Sequence, residues 1–323
     1  MSLSPRRLLA AMLLTASVLL VTPSPARAAA AEIDGEVAVP CWISTYHQDA
    51  DWYFPATTSP KALVYLQHGF SRSNGNMADL ARRYQAAGFL VFAPTLPSIN
   101  LYGCTVNNTG NNTAFLNNVA AWLGQATTPT SALARSYAAA ANAAGRGGST
   151  LPTRYVLAGH SAGGEAVTYI ANRLRTAHPA AFAALEHVQL LDPVKSPAGN
   201  NMASGLSGLA ATGLPILTIS SPPYLSNSNA SGTVELVNQL DRPFLGVRLT
   251  TGSHCDAEGA STDGLCTLTG GAPQARNVAA LQTLAVAWAS DAVAGSATAT
   301  YYPGGSYYKG LLTGGVIQTL SGS

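Results

Sequence analysis

The chain has 323 residues, of which 47% are hydrophobic and only 10% charged, with a formal net charge of +2. A surface so poor in charge offers no basic field for nucleic acid and none for an anionic membrane. Partners must therefore be read from a site, not from bulk electrostatics.

The first residues carry Arg6 and Arg7, an uncharged apolar run follows over 8–21, and Ala26-Arg27-Ala28 makes an A-x-A exit. Charged start, short apolar middle and small-residue exit predict a secretory signal peptide over 1–28. The run is too short for the roughly 20 residues a spanning helix needs. Pro5-Arg6-Arg7-Leu8-Leu9 loosely fits a twin-arginine pattern, so Sec and Tat export are both open and the mature protein is expected outside the cell. Residues 29–323 are within the length that α/β folds hold as a single domain. No later stretch is long and apolar enough for stable membrane insertion.

Cys41, Cys104, Cys255 and Cys266 are an even set in a chain with an export signal, which favours two disulfides. Three pairings are possible, and Cys41–Cys104 with Cys255–Cys266 is the preferred set. No C-x-x-C or neighbouring His pair supports a metal site.

In chain order, 35–39 and 52–54 read as two antiparallel edge strands in a segment broken by Pro40 and Pro55. Residues 61–67 run apolar without alternation, as a strand covered on both faces does. Met77, Leu80, Ala81, Tyr84 and Ala87 have helical spacing, Gly88 fits the helix exit, and 89–94 is another buried strand. This strand-helix-strand unit implies parallel pairing through a right-handed crossover. The interval 98–152 holds helices around 115–123 and 131–144 and a polar stretch from Asn107 to Thr113. Strands are expected at 186–193, 215–220 and 244–249, the last of the series, with helices near 233–240 and 273–293. The tail from Tyr301 to Tyr308 is aromatic and turn-rich and is expected to pack on the body.

Between these lies Arg154-Tyr155-Val156-Leu157-Ala158-Gly159-His160-Ser161-Ala162-Gly163-Gly164-Glu165. It reads as a buried strand, a tight turn and a helix, with Ser161 at the turn. A serine so placed takes a strained backbone conformation that leaves room only for small neighbours, which Gly159 and Gly163 supply. The helix N-terminus behind it presents free N–H groups and a positive dipole end to any anion forming there.

A serine becomes nucleophilic through a base, and the base needs a third group to fix its tautomer. In open α/β sheets, the carboxyl ends of the strands share one edge, where distant residues converge. His254 follows the strand at 244–249 and precedes Cys255, so it is the candidate base; His47, His68, His160, His178 and His187 are read as structural, the last two in helix-end contexts. Asp192 ends the strand after the elbow helix and is the candidate acid. The next strand ends in Ser220-Ser221-Pro222 without a carboxylate, Asp241 lies at the wrong edge, and Asp256 is the reserve. Backbone N–H groups of Phe70 and Ala162 are the expected oxyanion donors.

Strand-His68-Gly69-Phe70, Gly159-His160-Ser161-Ala162-Gly163-Gly164, Leu191-Asp192-Pro193-Val194 and Gly252-Ser253-His254 together resemble the α/β-hydrolase superfamily, in its Ser, Asp, His order. Within it, the chain is similar to secreted bacterial lipases, cutinase-like polyester hydrolases and plant chlorophyllases over about 61–293. The resemblance implies the α/β-hydrolase fold, a mostly parallel central sheet with helices on both faces. Cutinase-like enzymes usually carry the acid after the strand that here ends in Ser220, whereas Leu191-Asp192-Pro193 has it one strand earlier, as chlorophyllases and pancreatic-type lipases do. The expected activity is hydrolysis of a small, lipid or polyester carboxylic ester through an acyl-enzyme, with neither metal nor organic cofactor required. An exported acyltransferase using the same triad, or a non-catalytic binding protein of the same fold, are the alternatives.

Overall fold

Each apolar run that reads as a doubly covered strand becomes a central strand of one nine-stranded sheet. The structure, a computed structural model, describes residues 29–323, and the signal peptide expected over 1–28 lies outside the described residues. Strands β1 (Ala31–Cys41) and β2 (Ser44–Phe54) form a hairpin, and β3 (Leu63–Gln67) and β4 (Leu90–Pro94) enclose α1 (Ala78–Ala86). Helices α2 (Thr113–Gly124) and α3 (Ala132–Ala143) precede β5 (Tyr155–His160), which runs into α4 (Ala162–Ala177) and the short α5 (Pro179–Phe182). Then come β6 (Leu185–Leu191), α6 (Asn201–Ala210), β7 (Ile216–Ser220), α7 (Ser231–Gln239) and β8 (Gly246–Leu249). The chain closes with α8 (Gly264–Gly270), α9 (Ala275–Ala294), α10 (Ser306–Thr313) and β9 (Ile317–Leu320).

The strand order is β1-β2-β4-β3-β5-β6-β7-β8-β9. Strands β3 to β8 pair in parallel, while β1, β2 and β9 join antiparallel. Alternate residues of one strand enter different cores: Leu63, Tyr65 and Leu157 pack with α2, α3 and α4, whereas Val64, Leu66 and Val156 pack with α1 and α9. With both faces covered, apolar residues are required at every position, which is why these strands lack alternation in sequence.

Three expectations change. The first two strands are eleven residues each and continuous, and β2 lies between β1 and β4, so only β1 is an edge. Pro40 sits inside that edge strand, where a missing N–H costs no ladder bond. The strand at β8 is not the last, because β9 pairs with it from Gly246↔Leu320 to Leu249↔Ile317. Ile317-Gln318-Thr319-Leu320 is short and half polar, too weak a pattern to read as a strand alone. His187 lies inside β6 and is buried, not at a helix end. The aromatic tail does pack on the body: Tyr308 is buried against Phe244, and Trp288 Nε1–H donates to the Tyr301 carbonyl.

Both disulfides of the preferred set are present, Cys41–Cys104 and Cys255–Cys266. No helix among the described residues is long and apolar enough to cross a membrane.

Candidate active site

The parallel strands end together at one edge of the sheet, and the ends of β3, β5, β6 and β8 bring the candidate residues there. At the end of β5, Ser161 has φ 56° and ψ −125°, far from any relaxed conformation for a side-chain-bearing residue. Its surroundings hold it so. The Ser161 N–H donates to the Leu191 carbonyl, and its own carbonyl accepts from Gly164 and Val194. A methyl group on Gly159 would stand 2.2 Å from the Gly163 carbonyl oxygen, and one on Gly163 2.5 Å from that of His68. Both are backbone contacts that cannot yield, so the small residues of the turn are a packing requirement as well as a conformational one.

His254 starts a 3₁₀ turn, His254–Ala257, after β8. Its Nε2 is 2.8 Å from Ser161 Oγ and its Nδ1 is 2.6 Å from Asp192 Oδ2. A carboxylate can only accept, so Nδ1 carries the proton and Nε2 offers its lone pair to the serine hydroxyl. Asp192, at the end of β6, is buried and has φ 41°, a left-handed conformation that Asp tolerates better than most residues. Its Oδ1 accepts from the Ser221 N–H at 2.8 Å, and Asn227 Nδ2 and the Tyr224 hydroxyl lie 3.3 to 3.4 Å from the carboxylate. Burial and the Asp192 charge push the Tyr224 hydroxyl far above its ordinary range, so it remains a donor. These three supports escape sequence reading: Ser221 acts through its backbone, and nothing marks Asn227 or Tyr224 among other loop residues.

The reserve acid, Asp256, is turned to other work. Its carboxylate accepts from the Ser253 and Gln274 N–H groups and so caps the turn that carries His254. The same turn is tied by Cys255–Cys266 to α8 and by His160, whose Nε2–H donates to the His254 carbonyl at 2.9 Å. His160 is buried beside the His254 ring, with centroids 4.6 Å apart, and burial followed by the neighbouring His254 holds it well below the usual imidazole range. A neutral His160 is therefore part of the wall, which its reading as merely structural understates. Behind it, Glu258 is fully buried and accepts two bonds from Arg72, Nε and Nη2, each at 2.7 Å. Removing Arg72 would strand the buried Glu258 charge out of water, whereas Arg72 has a second partner in Asp263 at 3.0 Å.

Gly69 lies directly on the serine: a methyl group there would be 2.6 Å from Ser161 Cβ. The next N–H, that of Phe70, has no backbone acceptor among the described residues. Ala162 opens α4, so its N–H has no partner within the helix. Both expected donors are thus left without a backbone partner among the described residues. His68 fixes this loop, its Nε2 accepting from the Leu96 N–H and its Nδ1–H donating to the Gly69 carbonyl. Burial lowers its pKa to about 4, which keeps the ring neutral for both bonds.

The serine opens onto a cleft of about 310 Å³ lined by Phe70, Arg72, His160, His254 and Leu265. A larger cavity, about 560 Å³, lies at the other end of the sheet against Leu63 and Tyr155. It holds no serine with a base beside it, so chemistry rather than volume singles out the smaller cleft. No group of three potential metal ligands occurs among the described residues.

No protein-family model and no curated protein matches the chain. Among solved structures, an esterase domain from Rhodothermus marinus aligns at 15% identity over 81% of this chain and 98% of that one, with a TM-score of 0.46. A dienelactone hydrolase from Anabaena variabilis aligns at 15% over 80% and 96%, with a TM-score of 0.48. A thermostable carboxylesterase from a metagenomic library aligns at 13% over 81% and 89%, with a TM-score of 0.49. A mostly parallel sheet covered on both faces, with a serine in the sharp turn from its β5 strand to the following helix, is the architecture of the α/β-hydrolase fold, and the chain has that fold.

Proposed function

We propose that the protein is an exported carboxylic ester hydrolase working through an acyl-enzyme, with residues 29–323 as one catalytic domain. The observation that carries this reading is the unbroken line from Asp192 Oδ2 through His254 to Ser161 Oγ, with bonds of 2.6 and 2.8 Å. Ser161 Oγ attacks the ester carbonyl carbon while its proton passes to His254 Nε2. The carbonyl oxygen becomes an anion held by the Phe70 and Ala162 N–H groups, each such donor being worth about 3 kcal/mol in comparable sites. As the intermediate collapses, His254 returns the proton to the departing alkoxide. Water, deprotonated by the same imidazole, then releases the acid. Asp192 keeps the proton on Nδ1 and steadies the imidazolium, and its three other donors, the Ser221 N–H, Asn227 Nδ2 and the Tyr224 hydroxyl, hold its carboxylate in place.

Hydrolysis of nitrophenyl esters of increasing chain length tests the reading. Activity should be present in the wild type and lost in Ser161→Ala and His254→Ala proteins of unchanged fold. Product analysis with added acceptor alcohol separates hydrolysis from acyl transfer. For export, the N-terminus of protein recovered from the medium should begin at Ala29. A folded wild type inert to every ester would remove the proposal.

A further inference from the structure

Exposed large apolar side chains are not spread over this molecule. Eleven are exposed among the described residues, and nine of them come from five segments around the cleft. On one side stand Trp42 (70% exposed), Ile43, Ile99, Leu101 (94%) and Tyr102. Phe70 on the cleft wall, then Leu225, Leu265 and Leu268 (85%) continue the rim on the other. Contiguous exposed apolar surface at this density marks a contact site.

The topology puts the first group on the side of the chemistry. Strand β2 pairs with β4 only from Ala50↔Pro94 to Tyr53↔Val91, so residues 44–49 run on past the carboxyl end of β4. Six further residues at about 3.3 Å each carry the hairpin tip roughly 20 Å beyond the sheet edge where Ser161 lies. Cys41–Cys104 ties that tip to the loop after β4, and Trp42 stacks on Tyr102 with centroids 4.7 Å apart. The same loop reaches the cleft, where the Ser71 N–H donates to Ser98 Oγ beside Phe70 and Ile99. On the far side, Leu265 and Leu268 are one helical turn apart on the outer face of α8, whose Cys266 is bonded to Cys255 beside His254. Each half of the rim is therefore stapled, and cannot fold its apolar side chains away.

Charge decides what fits. Residues 41–46, 98–104, 224–229 and 264–270 contain no charged residue. A protein or anionic surface would be met by charged rim residues, which these four segments lack. Trp and Tyr beside Ile and Leu suit the boundary between water and lipid. We propose that the mouth of the cleft docks on the surface of aggregated neutral lipid, the hairpin tip and α8 entering it on either side and delivering an ester to Ser161. The delivery step rests on the esterase reading; the docking does not.

The test separates the two. Full-length mature Ser161→Ala protein, unable to turn over, is mixed with phosphatidylcholine vesicles and sedimented, with and without a third of the lipid replaced by phosphatidylserine. It should partition onto both equally. Adding Trp42→Ser and Leu101→Ser should weaken partition by about tenfold or more, since two large apolar side chains no longer leave water. Leu265→Ser with Leu268→Ser should do the same from the other side. In the active background, the Trp42 and Leu101 pair should lower kcat/KM for emulsified tributyrin while leaving a soluble nitrophenyl acetate unaffected; these side chains are exposed, so the melting temperature should hold. No partition, partition only with phosphatidylserine, partition only onto a polyester film, or a dimer abolished by the Trp42 and Leu101 substitutions would each overturn the proposal. A wild type that partitions but cleaves neither ester would remove the esterase reading and leave docking standing.

Discussion

The serine turn and the histidine turn meet at two hydrogen bonds, Ser161 Oγ with His254 Nε2 and His160 Nε2–H with the His254 carbonyl, yet they are held by opposite means. Around Ser161 the constraint is steric: backbone presses on Gly159 and Gly163 from the sheet and the neighbouring loop, and no cross-link is needed. Around His254 the constraint is a set of ties, namely Cys255–Cys266, the Asp256 cap, the His160 bond and the buried Arg72–Glu258 pair behind it. The difference follows from position. A turn between a central strand and its helix is fixed by packing on both faces, whereas a loop after a strand near the sheet margin must be fastened.

The largest expected effect separates the two carboxylates near the histidine. Asp192→Asn should lower kcat on the order of 10⁴-fold, as loss of the tautomer-fixing acid does in a comparable triad. Asp256→Asn should instead cost about 1–2 kcal/mol of stability, the worth of a cap, with most of kcat retained. Equal losses in kcat would show that the histidine turn and its acid cannot be distinguished.

Next are the two staples. Replacing Cys41 and Cys104 by Ser opens the longer loop, 63 residues in separation, and should cost about 4 kcal/mol by the chain-entropy relation. Opening Cys255–Cys266, a separation of 11, should cost only about 3 kcal/mol. Activity should rank the other way: the second change should depress kcat on a soluble ester and the first should not. Urea midpoints beside steady-state rates check both. Gly159→Ala probes the steric side, and its backbone clash should cost about 3 kcal/mol and take activity with it.

The smallest effect concerns pH. Burial lowers the His187 pKa to about 4, against 6.5 for an exposed imidazole. Between those values the unfolded chain binds a proton that the folded one refuses, so stability is present above pH 6.5 and is lost as pH falls towards 4. The slope is up to about 1.4 kcal/mol per pH unit from this group. Denaturation at pH 7 and pH 5 should therefore show a smaller difference for His187→Gln than for the wild type, with the two histidine-bearing turns of the site untouched.

The sequence is most legible where one physical requirement dominates a contiguous stretch. The central strands announce themselves because both faces are covered, and the elbow because its glycines, its strand and its helix lie within twelve residues. His254 and Asp192 are readable only through the rule that parallel strands end at one edge. What escapes is whatever depends on contacts distant in sequence or on backbone atoms: β9, half polar yet paired with β8; the Ser221 N–H and Asn227 on Asp192; and the His160 bond to the His254 carbonyl. Single exposed residues such as Leu101 and Leu268 carry no signal until the fold gathers them around one cleft.

The central claim is that Ser161 is reactive because His254 and Asp192 make it so. Intact-mass analysis after treatment with a fluorophosphonate tests this most directly. The wild type should gain one adduct, mapped to Ser161, at a rate that collapses in folded His254→Ala and Asp192→Asn proteins. An adduct on another residue, no adduct on folded wild type, or undiminished labelling in either variant would contradict it.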